Sequence, residues 1–98
     1  MMEITLCQSI ALQDHSVHLS LYKTIESNFL PHRGDFVSDS AFPAPYEHVI
    51  EKTVISYECR LCSVYFAPIR LEAGEDLKVY LNHFKRHGWI DQLFKSRL

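Results

Sequence analysis

The stretches ITLCQSIAL (residues 4–12) and VHLSLYKTI (residues 17–25) decide how this chain folds. In the first, Ile4, Leu6, Ile10 and Leu12 share one parity, with the small residues Thr5, Cys7, Ser9 and Ala11 between them. In the second, Val17, Leu19, Leu21 and Ile25 alternate with His18, Ser20 and Tyr22. A period of two puts one apolar row on one side of an extended chain, so both stretches read as strands. Asp14–His15 lies between them, and an Asp side chain favours a turn by bonding its own backbone. So short a connection makes the two strands an antiparallel hairpin.

Outward from the hairpin the signals change. Pro31 and Gly34 break residues 29–37, leaving room for a turn or a short strand. Ser38 to Pro45 reads as a loop, because Pro43 and Pro45 cannot donate to a ladder, and its neighbours Phe42 and Tyr46 are placed to cover a core. From Tyr46 to Tyr57 the β-branched density rises, with apolar residues on both parities, so a strand covered on both faces is expected. Ser63 to Leu71 repeats that texture, with Pro68 demoting it to an edge or a bulge. Between these two, residues 58–62 hold no Gly, Asn or Asp to make a tight turn.

Residues 75–87 read as a helix. Leu77, Tyr80, Leu81 and Phe84 form one apolar stripe, with Lys78, Asn82, Lys85 and Arg86 opposite and Val79 left exposed. Glu75 and Asp76 load the first turn and Lys85 and Arg86 the last, as the helix dipole prefers. Gly88 is suited to the left-handed residue past the end, with Trp89 or Ile90 supplying the apolar contact of a Schellman stop. Asp91 to Lys95 is read as one further helical turn. The expected fold is α+β: a small antiparallel sheet or partly open barrel of four to five strands with one amphipathic C-terminal helix at about 75–87.

With 98 residues and 11.4 kDa, the chain is one domain, 1–98. Its 47% apolar and 22% charged composition excludes a disordered or collagen-like chain. No apolar run reaches the roughly 18 residues of a membrane span, so no membrane partner is expected. Three cysteines, an odd number, together with Glu3 where a secretory leader would be basic, point to a reducing, cytoplasmic setting. Cys7, alone in its strand, reads as a small buried hydrophobe. Residues 1–50 carry two basic against six acidic side chains, and residues 51–98 eight against six. That distribution is short of the basic stripe a duplex binder needs. No HExxH, Walker loop, GxSxG or GxGxxG occurs, and no nucleophile–base pair can be read, so an enzyme is not expected. Glu72, Glu75 and Asp76 read as an acidic helix start.

One constellation carries chemistry. Cys59-x2-Cys62 puts two thiols on a turn, and His83-x3-His87 puts two imidazoles one helical turn apart. Zinc takes four N or S ligands in a tetrahedron, and two such pairs on a hairpin and a helix supply them. Tyr57-x-Cys59-x2-Cys62-x3-Phe66 followed by His83-x3-His87 resembles a Cys2His2 zinc finger over 31 of the 98 residues. That resemblance implies a structural zinc held by Cys59, Cys62, His83 and His87, with Phe66 and Tyr80 as a small core. Twenty residues separate Cys62 from His83, where the family holds about a dozen, and Tyr80 replaces its usual leucine. The competing reading makes both pairs ordinary residues of a hairpin and a helix edge. The expected function is a small non-catalytic interaction module that binds a protein partner, or itself as a homodimer, through a sheet edge or the Phe42–Tyr46 loop. The alternative is a zinc-containing nucleic-acid-binding module using Arg60, Lys78, Lys85 and Arg86.

Overall fold

A computed structural model describes residues 2–12, 18–72 and 74–91. The expected hairpin is present: β1 (Met2–Leu12) pairs antiparallel with β2 (His18–Ser27), from Met2↔Ser27 to Ala11↔His18. Its Asp14–His15 turn, and Val17, lie outside the described residues. The chain then crosses to the far side of the sheet and returns through β3 (Phe36–Ser38), β4 (Glu47–Ser56) and β5 (Leu61–Phe66), an antiparallel meander. β5 and the short β6 (Ile69–Leu71) lie along β1 in parallel, with Leu6 opposite Val64 and Ala11 opposite Arg70. The result is a curled mixed sheet, a half-barrel of order β2-β1-β5-β4-β3 with β6 beside β1, and one C-terminal helix. The α+β class is as expected, while the pairing around β1 is parallel on one side because the meander returns beside the first strand of the hairpin.

Alternation decides what each strand buries. Ile4, Leu6, Gln8 and Ile10 all point into the core from β1, and Cys62, Val64 and Phe66 do so from β5. β4 departs from expectation. Its apolar residues on both parities do not mean two covered faces, since Val49 and Val54 are exposed. The register instead slips between Ile50 and Lys52, so Ile50 sits opposite Phe66 while Ile55 sits opposite Cys62. A β-bulge inserts one extra residue and switches the inward parity, and so a single inner face draws on both. Ala67-Pro68 interrupts the last strand into β5 and β6, as a residue without an N–H must.

The helix α1 (Leu77–Arg86) starts at Asp76, whose carboxylate accepts the Lys78 N–H, and it covers part of the inner face with Phe84. It stops as expected. The Trp89 N–H donates to the Phe84 carbonyl and the Gly88 N–H to the Lys85 carbonyl, with Gly88 at φ +91°, which completes a Schellman motif. Trp89 packs edge-on against Phe84, 5.3 Å between ring centroids, and both rings reach Phe42 from the 39–46 loop. Phe42 is therefore core, as expected, whereas Tyr46 is exposed. Ile90 then pairs with Tyr22 on the free side of β2. Residues 92–95 of the further helical turn read from the sequence lie outside the described residues. No helix among the described residues is long and apolar enough to cross a membrane.

Candidate binding surface

The four sequence-predicted ligands occupy two separate places. Cys59 is exposed on the Tyr57–Arg60 turn, its N–H bonded to the Ser56 hydroxyl. Cys62 is fully buried on β5 between Ile4 and Ile55, where burial pushes its thiol pKa up. The turn is made by Arg60 in the left-handed region, φ +58°, and not by glycine or asparagine. The chain enters β5 straight after it, which sends the two sulfurs in different directions. His83 and His87 do come together, 4.7 Å between ring centroids, at the end of α1. The His87 Nδ1 lies 2.7 Å from the Ser40 hydroxyl of the 39–46 loop. Among the described residues no group of three or more His, Cys, Asp or Glu side chains is placed to hold a metal ion. The cations of the nucleic-acid alternative are divided as well: Arg60 is on the turn, Lys78, Lys85 and Arg86 on α1, and Lys85 faces Asp91 at 3.6 Å.

Two polar clusters that the sequence reading did not single out have structural roles. Asp39 binds the helix end to the sheet: its carboxylate accepts the Lys23 ammonium at 2.9 Å, the Trp89 indole N–H at 3.1 Å and the Ala41 N–H at 2.9 Å. Lys23 also donates to the His87 carbonyl. Burial alone would raise the Asp39 pKa, but these donors together outweigh it and hold the carboxyl below its ordinary value. Gln8 repairs the strand break. Its amide N–H2 donates to the carbonyls of Ser9 and Ala67, the latter beside Pro68, and its oxygen lies 3.0 Å from the His48 Nδ1. With the amide nitrogen committed to two carbonyls, His48 is the donor and carries its proton on Nδ1. Its ring stacks on Phe42 at 4.1 Å, and burial lowers its pKa, which keeps it neutral at pH 7.

The acidic cluster lies just before the helix and not in its first turn, because α1 begins at Leu77, two residues later than the expected 75: Asp76 is the N-cap, and Glu75, in the preceding turn, accepts the Glu72 N–H and the Tyr80 hydroxyl. Cys7 is half-buried on the outer face of the sheet, its thiol pushed up to about 11 by burial and so a poor nucleophile.

What the fold leaves open is the end of the half-barrel away from α1. Because β2 and β3 are opposite edges of the sheet, residues 28–35 must span between them. Pro31 and the turn at His32–Asp35, where the Asp35 carboxylate accepts the His32 N–H, fix that span. Behind it a hollow of about 220 Å³ has buried Ile4, Leu6 and Ile50 as its floor and Ile25, Phe29 and Phe36 on its walls, with Asp35 also lining it. A second hollow of about 400 Å³ adjoins it, sharing Ser27 and Leu30, and is lined also by Met2, Tyr57 and Arg60. Phe29 is 84% exposed, Tyr57 73% and Phe36 68%. Beside this mouth, residues 51–56 of β4 pair with β5 alone among the described residues, which leaves a free strand edge marked by Glu51 and Lys52. The sequence reading missed this surface, although one signal was present. Phe29, Leu30 and Phe36 stand in a Pro- and Gly-broken stretch where no periodicity gives them a core position.

No protein-family model matches the chain, and neither the curated proteins nor the solved structures hold a match.

Proposed function

We propose that the chain is a non-catalytic protein-interaction module whose binding surface is the open end of the half-barrel. The observation that carries this is the gathering of three mostly exposed aromatic rings, Phe29, Phe36 and Tyr57, around two adjoining hollows. Exposed apolar rings cost a soluble domain stability against aggregation, so a contiguous patch of them beside concave apolar surface marks an interaction site. The free edge of β4 adds a backbone ladder for an extended segment, with Tyr57 at its end.

A displayed random-peptide library selected on the protein tests the reading. Bound peptides are expected to carry large apolar residues, to shift the amide resonances of residues 25–36 and 57–61, and to lose binding to the Phe29→Ser/Phe36→Ser variant. Binders indifferent to that variant, or mapping to the outer face of the sheet, overturn it.

A further inference from the structure

We infer that the occupant of the open end is a second copy of this chain, docked about a two-fold axis with Arg60 of each copy against Asp35 of the other. The inference rests on the reading of this end as the binding surface and names its partner. Three aromatic side chains present roughly 150–250 Å² each when free, so Phe29, Phe36 and Tyr57 together expose about 450 Å². Ile25, Leu30 and the rim bring the patch towards the roughly 800 Å² that one subunit of a stable dimer buries.

The shape suits a self-complementary contact. One patch carries both protruding rings and a hollow of about 220 Å³, and an isologous interface requires knob and hole on the same surface. The charges suit it too. Asp35 lines one hollow and Arg60 the other, so the patch has an acid at one end and a base at the other. A two-fold rotation reverses one patch on its mate and brings each guanidinium to the opposite carboxylate. Among the described residues the Arg60 guanidinium has no partner within its own chain, and the Asp35 side chain is 57% exposed. Residues 58–62 also gain a role there, since the left-handed Arg60 turn projects this cation beside Tyr57 and Leu30.

Sedimentation equilibrium up to about 200 μM reads the state directly, and a species of twice 11.4 kDa is expected. Phe29→Ser/Phe36→Ser is expected to sediment as one chain with unchanged Trp89 fluorescence. Asp35→Arg and Arg60→Asp each place like charges in apposition and are expected to weaken the dimer about tenfold. An equimolar mixture of those two variants is expected to restore parental affinity, because each chain then supplies both charges of one sign. Asp35→Arg also disturbs the His32–Asp35 turn, so Arg60→Asp, which removes no side-chain hydrogen bond or ion pair among the described residues, carries the charge test alone if the first variant misfolds. A one-chain mass throughout the range overturns the inference, as does a dimer indifferent to the serine variant or charge variants that fail to complement. If the mass is that of one chain while selected peptides still map to residues 25–36, self-association fails and the interaction reading stands. If the peptides also map elsewhere, both fail.

Discussion

Gln8 shows how one polar side chain decides whether a strand break is tolerable. Pro68 cannot donate, and the ladder beside β1 therefore lapses between β5 and β6 just where Gln8 points inward, 1% exposed. Its amide takes up the Ala67 carbonyl and the His48 N–H at once. Gln8→Leu fills the space but leaves both part-buried groups without this partner, and a loss of about 2 kcal/mol is expected in urea unfolding. A neutral result would show that water reaches the break. Asp39 works by charge instead. Its folded pKa lies below the ordinary 3.8, so its contribution is fully present above that value and is lost as pH falls through and below it. His48 is depressed below 6.5 by burial, and stability is also lost as pH falls from 6.5, where the unfolded chain binds the proton more readily. Asp39→Asn removes only the lower window. The variant is expected to lose about 2 kcal/mol at pH 7, with Lys23 left without its counter-ion, and to converge on the parent towards pH 2. Parallel curves for parent and variant across pH 2–5 would remove Asp39 from the acid response.

At the scale of elements, how legible each piece was depended on whether its cause is local. The β1–β2 hairpin and the α1 stop were readable because alternation, capping and a glycine past the helix end act within a few residues. β4 was misread for a local reason with a non-local consequence, since the extra residue between Ile50 and Lys52 shows only against β5. The parallel seat of β5 against β1 leaves no mark in either strand's own pattern. The Cys59–Cys62 spacing likewise gives two thiols but not their directions. The structure makes them unequal, and this can be measured. Cys59→Ser, on an exposed turn, is expected to change stability by less than about 0.5 kcal/mol. Cys62→Ser puts a hydroxyl among Ile4, Ile55 and Val64 and is expected to cost about 1–3 kcal/mol. A four-ligand zinc site would make both costly and would leave one zinc per chain in the purified protein, which elemental analysis reads.

For the molecule as a whole, the order of assembly follows from the register. Glu3 pairs with Leu61 and Cys7 with Tyr65, partners 58 residues apart along the chain. Closing so long a loop spends chain entropy before the ladder returns any, which is the pattern of slow-folding β-rich domains. The inner face on which Phe84 and Trp89 rest comes from β1, β5 and the 39–46 loop, so α1 has nothing to cover until the sheet exists. Refolding followed by the one tryptophan, Trp89, is therefore expected to take milliseconds to seconds, without a microsecond phase of full amplitude. Val64→Ala, at the parallel seam opposite Leu6, is expected to slow folding, whereas Phe84→Leu is expected chiefly to speed unfolding. A chevron analysis separates the two limbs. The reverse pattern, with Phe84→Leu slowing folding and Val64→Ala acting on unfolding alone, would mean that the helix, its Schellman stop and Phe42 form a nucleus on which the sheet later condenses.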